Sequence, residues 1–387
     1  MKRCLLLLSC LLLTACANVP TRSEVPTELF SDSSFTPPAQ PVQAGQIFAL
    51  SPEMKAYIDT ELSRQIRSKG LKQGLLEALY RKNQLKLEYD SEHTRNATEA
   101  FEARSGNCLS LVIMTGAIAN HLGMQVTYQS VYTDDIWTRA NDIYFASGHV
   151  NLTLGHRLTE PGVHGGMTAG LTTWTIDFLP PEELRGQRSR EVSESTVAAM
   201  YMNNRAAESL AEGDLDTAYA WARAAVSHQP GYLSAYNTLG VIYLRHGLAS
   251  QAEKVFAHVL QRDPTSTMAM SNLARVLEVQ GRTEESAALT RALTRLDPEP
   301  PYYFFDLGRA AMRRGDYADA KAWFQKEVKR APYNHEFHFW LAQAQAQLGD
   351  MRAARSQLDL ALSTSTTRRN QQLYAAKLDR LKQLGVQ

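Results

Sequence analysis

The sequence predicts an α+β domain over residues 49–195 followed by an all-α solenoid over residues 196–387. Two observations carry this. In the first region helix-period apolar patterns come first and short alternating segments follow, the order expected where helices pack on an antiparallel sheet. In the second, Gly213, Gly247, Gly281, Gly315 and Gly349 recur every thirty-four positions, and Pro230, Pro264, Pro298 and Pro332 keep the same period. So regular a period describes a stacked array, in which each unit buries its apolar face only against its neighbours. At 387 residues the chain has room for two or three domains, and a net charge of +1 gives no reason to expect nucleic acid as its main partner.

The N-terminus reads as a targeting segment. Met1-Lys2-Arg3 precede an apolar run from Leu5 to Leu13 and then Thr14-Ala15-Cys16, a basic region, a short apolar region and a small-residue cleavage site. The run is too short for a permanent membrane-spanning helix. Leu13-Thr14-Ala15-Cys16 resembles the bacterial lipobox. That resemblance implies a signal peptide over residues 1–15 and a lipid-modified Cys16 that anchors the chain without crossing the bilayer. Ala17 in place of Asp then implies the outer membrane, facing the periplasm. The alternative is a plain secretory signal with an incidental Cys. Residues 16–48, rich in Pro, Ser and Thr and without periodicity, are expected to form a flexible tether reaching about 100 Å when extended.

Within residues 49–195, Ser51-Pro52-Glu53 opens a helix whose face carries Met54, Ile58, Leu62 and Ile66. Further helices are expected over residues 71–84 and 94–104. Asn107 is a good N-cap and Gly123 a good terminator for a helix that is apolar nearly all round, and hence buried. Strand-like segments follow at 124–132, 149–154 and 172–178. The Gly-rich stretch 155–170 reads as a mobile loop, and Pro180-Pro181 with the polar stretch 186–190 reads as the exit from the domain.

In the repeat region Ala218, Ala252, Ala320 and Ala354 fall in phase with the glycines, with Ser286 in the third slot. The second unit carries Tyr236, Leu239-Gly240, Tyr243, Ala252, Phe256 and Pro264, and resembles the tetratricopeptide repeat. The resemblance implies about five helical hairpins from near Ala199 and a groove that holds a peptide or protein partner. Leu239, Phe256 and the Tyr302-Tyr303-Phe304-Phe305 cluster read as inter-helix core rather than ligand contacts. The first unit departs from the pattern with Met202 and Arg205. The last lacks its Pro and runs into a solvated capping helix over residues 370–384.

Cys108 is the one thiol left once Cys4 and Cys10 depart with the signal and Cys16 is acylated. It sits in the first turn of the buried helix, where free N–H groups and the helix dipole favour negative charge. In Gly148-His149-Val150-Asn151-Leu152 the period of two puts His149 opposite Val150 and Leu152, and in Trp174-Thr175-Ile176-Asp177-Phe178 it puts Asp177 opposite the apolar face. If those strands are neighbours, His149 and Asp177 meet on one side. His156 or His164 could replace His149 as the base, Cys108 could be an inert core residue, and the three histidines have no strong metal-ligand spacing.

Ser105-Gly106-Asn107-Cys108-Leu109-Ser110, Gly148-His149-Val150 and Trp174-Thr175-Ile176-Asp177, in that order, resemble the transglutaminase-like superfamily, over roughly residues 90–180. The resemblance implies a papain-like core with Cys108 as nucleophile, His149 as general base and acid, and Asp177 orienting His149. Val150 and Leu109 depart from the aromatic residues found there in some members, which argues against protein crosslinking. Two functions follow: a thiol hydrolase or acyltransferase acting on an amide bond, or a non-catalytic scaffold lipoprotein whose first domain only binds. Neither calls for a cofactor or a metal.

Overall fold

The computed structural model describes residues 24–39, 41–80, 85, 87–90, 93–140, 143–155, 173–178, 188–365 and 368–384. Cys16 and the signal, His156, His164 and the Gly-rich stretch beyond Gly155 lie outside these residues.

The N-terminal region begins with helices. Ser51 caps α1 (Pro52–Tyr57), accepting a hydrogen bond from Met54 N at 3.2 Å. The chain continues through a π-helical turn, Ile58–Leu62, into α2 (Ser63–Lys69) and then α3 (Leu71–Tyr80). Met54, Ile58 and Leu62 are buried as their spacing requires. A short strand β1 (Glu88–Tyr89) pairs in parallel with β2 (Ser105–Gly106), and α4 (Ala97–Ala103) lies between them behind an Asn96–Glu99 capping box. Next comes α5 (Cys108–His121), buried at every position from Leu109 to Ala119.

An antiparallel sheet follows, built from β3 (Gln125–Ala140), β4 (Ile143–Gly155), β5 (Trp174–Ile176) and β6 (Arg188–Val192) in the order β5-β4-β3-β6. Two expectations need correcting. β3 and β4 are longer than their apolar alternation suggested, with a register shift between Val131 and Ile136. The polar stretch read as the domain exit runs into β6, which pairs with β3 from Tyr128↔Val192 to Tyr132↔Arg188. β6 is exposed at every position but Val192, so this edge strand has no need of apolar residues, and its charges deter further pairing.

The C-terminal region is an all-helical solenoid of tetratricopeptide repeats. Its hairpins are α6 (Glu194–Glu212) with α7 (Leu215–His228), α8 (Leu233–Arg245) with α9 (Ala249–Arg262), α10 (Thr267–Val279) with α11 (Thr283–Leu296), α12 (Tyr303–Arg314) with α13 (Tyr317–Arg330), and α14 (His335–Gln347) with α15 (Met351–Thr364). The last helix is α16 (Arg368–Leu384). The five periodic glycines sit at the turns within the hairpins with φ between 77° and 86°, a backbone that a side chain strains. Ala218, Ala252, Ala320 and Ala354 are fully buried and Ser286 nearly so, each where two helices approach closely.

The largest correction concerns the tether. Residues 24–39 are packed on the repeats. Leu29 and Phe35 are buried, and the Phe35 ring stacks on Tyr219 with centroids 4.0 Å apart. Farther along, Ile47 is buried and its carbonyl accepts a hydrogen bond from Ala97 N. Composition misled because a few spaced anchors suffice to fix an extended segment, and such anchors leave no periodic signal.

One apolar core runs from Leu29 through the N-terminal helices and sheet into the first repeats as far as Val276. A second core begins at Tyr302 and a third joins α14, α15 and α16. Among the described residues, no helix is long and apolar enough to cross a membrane.

Candidate functional site

The site forms where α5 begins beside β4. Asn107 fixes the start of α5: its Oδ1 accepts from Ser110 N at 2.9 Å and Ser110 Oγ at 2.8 Å. Its Nδ2 donates to Thr94 Oγ1 at 2.9 Å, while Ser110 Oγ accepts from Arg95 N at 2.8 Å. With both sides of the cap tied down, Cys108 is held at the first helical position, half-buried and reduced.

β4 and β5 are neighbours, with Leu152↔Ile176, Thr153↔Thr175 and Leu154↔Trp174 paired. Extending that register by one step sets Asn151 against Asp177, with His149 two residues farther along the same face. The His149 Nε2–H donates to Asp177 at 2.8 Å (Oδ1) and 2.9 Å (Oδ2). The imidazole is fully buried and the carboxylate nearly so. Asn151 Nδ2 adds a third hydrogen bond, to Oδ2 at 2.8 Å. Asn151 was not singled out from the sequence, although its place two residues after His149 was the available signal.

Burial alone would push the His149 imidazole down. The hydrogen bond to Asp177 and then the neighbouring Cys108 thiol more than offset this, and together raise it to about 9. With Nε2 engaged by Asp177, the other nitrogen, Nδ1, is left for the thiol. Among the described residues no group meets hydrogen-bond geometry with Nδ1. The Cys108 thiol is near enough to raise the pKa of the ring, though it does not meet strict hydrogen-bond geometry with Nδ1. The three residues predicted from the sequence are brought together, with the imidazole between acid and thiol.

A hydrogen-bond chain joins this site to the first repeat. Thr94 N donates to Glu208 Oε1 at 2.7 Å, while Asn204 Nδ2 and Arg205 Nη1 donate to Thr94 Oγ1 and the Thr94 carbonyl, each at 3.3 Å. This accounts for Arg205, which departs from the repeat pattern because it faces the N-terminal region. Nearby, Tyr128 on β3 and Asn120 on α5 both donate to Glu194 on α6.

Family models for the tetratricopeptide repeat match residues 209–267, 267–292 and 305–369. Repeats of this kind are protein-interaction modules. The chain is 25% identical over 150 residues to Protein FlbA of Caulobacter vibrioides, covering 39% of this chain and 25% of that one. It is 35% identical over 104 residues to the Putative cellulose synthase operon protein C of Escherichia coli O157:H7, covering 26% and 9%. The chain therefore spans a quarter or less of the length of these curated relatives. Among solved structures, a thermophilic TPR protein of Thermus thermophilus is 19% identical, covering 46% of this chain and 98% of that chain with a TM-score of 0.32. Pseudomonas aeruginosa PilF is also 19% identical, covering 49% and 87% with a TM-score of 0.31.

Proposed function

We propose that the chain is an envelope lipoprotein, anchored through Cys16, whose residues 49–195 form a transglutaminase-like domain that cleaves or transfers an amide bond of a peptide or protein substrate. Cys108 is the nucleophile, His149 the general base and acid, and Asp177 its orienter. The repeats hold the substrate or a partner. The observation that carries this reading is the buried His149 ring, locked by Asp177 on one nitrogen and open toward the lone thiol on the other.

The chemistry follows from that order. A proton leaves Cys108 Sγ for His149 Nδ1, and a cationic ring beside the sulfur stabilises the resulting anion. Sγ adds to the substrate carbonyl carbon, and N–H groups at the start of α5 face the charge that develops on oxygen. Collapse expels the amine, which takes the proton from His149 and leaves a thioester. Water or a second amine then attacks the thioester and restores the thiol. The imidazole is used in the opposite sense to the serine-protease template, with the acid on Nε2 and the nucleophile on the Nδ1 side.

Iodoacetamide labelling tests the proposal. Rapid, pH-dependent labelling of Cys108 is expected, slowed at least tenfold in His149→Ala. The scaffold reading is favoured by one observation, that no group meets strict hydrogen-bond geometry with Nδ1 among the described residues. Sluggish labelling that His149→Ala leaves unchanged would establish it in place of the enzyme.

A further inference from the structure

The surface that receives residues 24–39 is more specific than a packing contact requires. On α7, Asp216, Tyr219 and Arg223 stand three and seven residues apart, which places them along one face. Arg223 grips Asp32 with two hydrogen bonds, Nε to Oδ1 at 2.6 Å and Nη2 to Oδ2 at 3.0 Å. Tyr219 Oη donates to the same Oδ1 at 2.7 Å and accepts from Ser31 N at 3.0 Å. Asp216 accepts from Thr36 N at 2.9 Å. From α8, Tyr243 Oη donates to the Leu29 carbonyl at 2.9 Å. Phe35 fills the aromatic slot between Tyr219 and His246, whose ring centroid lies 4.6 Å away.

These features belong to peptide recognition. Main-chain groups of the guest are read by side chains of the host, its carboxylate by a bidentate guanidinium, and its aromatic ring by a stacked pocket. The guest has only two short 3-10 turns, Thr27–Leu29 and Asp32–Ser34, and no helix of its own. Tyr243 belongs to the repeat pattern, but Tyr219 and Arg223 do not. Thirty-four positions after Tyr219 and Arg223 stand Glu253 and Ala257, so the repeat pattern does not account for the pair.

We infer that the first two repeats carry a recognition site for an extended peptide with an aspartate three residues before a phenylalanine, and that Leu29–Phe35 of this chain is its detachable resident ligand. The inference is independent of the chemistry at Cys108. It assigns the repeats one site that is already filled, and it makes the N-terminal segment exchangeable for the same segment supplied from outside.

The test uses the full chain and a fluorescein-labelled synthetic peptide of residues 24–39. In the Asp32→Ala/Phe35→Ala chain the resident segment is released, and saturable peptide binding by anisotropy is expected. The unaltered chain should bind the peptide at least tenfold more weakly because its site is occupied. Adding Arg223→Ala to the released chain should weaken binding at least tenfold again. Absence of binding to a released chain with native helicity and melting would overturn the inference, as would loss of repeat helicity in that chain, which would make the segment indispensable to the fold of the repeats. Hydrogen exchange on the unaltered chain gives an independent reading. The Ser31 and Thr36 amides should exchange at least tenfold faster than those in the middle of α8, and exchange in step with α8 would overturn it.

Discussion

His149 is the residue on which the site's electrostatics turn. Its folded pKa, about 9, lies above the 6.5 of a free imidazole, so protonation of the ring favours the folded chain. That contribution is complete below about pH 6.5 and is lost as the pH climbs through 9. Urea unfolding of the wild type should therefore show stability falling between pH 7 and 10, with a much smaller fall in Asp177→Asn. An NMR titration of the His149 ring should give a value near 9 in the wild type and a clearly lower one in Asp177→Asn. An unchanged value would mean that Asp177 does not hold the charge. The meeting of His149 and Asp177 was legible from the period of two on both strands and that of Cys108 from the helix start at Asn107, although His156 and His164 stood as alternatives to His149. Asn151 was harder to read, since its place two residues after His149 puts it on the right face but does not separate a carboxylate's second donor from an ordinary strand asparagine. Thr94 was hidden for a related reason: besides Asn107, its partners come from residues more than a hundred positions away.

Among the elements, repeat helices show how two glycines serve different ends. A Cβ on Gly240 would lie 2.6 Å from ring carbons of the fully buried Phe256, whereas one on Gly247, at φ 85°, would meet nothing but backbone strain. Gly240→Ala should cost about 1–2 kcal/mol net, overpacking of up to ~3 kcal/mol being partly offset by about 1 kcal/mol of helix propensity. Gly247→Ala should cost about 1–2 kcal/mol through the left-handed backbone alone. Urea midpoints of the two variants check both numbers, and a stabilised Gly240→Ala would show that Phe256 can yield. The hairpins were readable because glycine, alanine and proline recur in phase, whereas β6 was unreadable because an edge strand needs neither apolar residues nor alternation. α5 fell between these cases, its ends marked by Asn107 and Gly123 and its burial by a lack of polar positions.

At the level of the whole molecule, two junctions behave oppositely. Thr94 ties the start of α5 to α6, so Thr94→Val removes an acceptor for Asn107, a buried side chain's partner, at a cost of about 1–3 kcal/mol. Under the proposed chemistry it should also slow Cys108 labelling by disturbing the cap, without touching the thiol. Loss of stability with unchanged labelling would restrict Thr94 to a structural role. The other junction is loose. The first core stops at Val276 and the next starts at Tyr302, leaving α11 with Ser286 as its one buried residue and Leu296 51% exposed. Limited trypsin digestion should cut after the exposed Arg295, just before the Pro-rich turn, and release a C-terminal fragment that keeps its helical circular dichroism. A chain that resists there until it unfolds as a unit would contradict this. The Pro-rich turn was visible in the sequence, but the gap in the core was not, because α11 retains the amphipathic pattern of its neighbours.

The docked segment at Leu29–Phe35 also sets a length. If Cys16 carries lipid as proposed, only residues 17–23 separate the anchor from the first docked residues, a leash of about 25 Å at full stretch. Undocked, the leash approaches 100 Å. A fourfold change in radius is roughly a sixty-fold change in the volume searched, and hence in the effective concentration of any target near the bilayer. A single phenylalanine and a single aspartate would then decide whether Cys108 works at the membrane surface or well away from it.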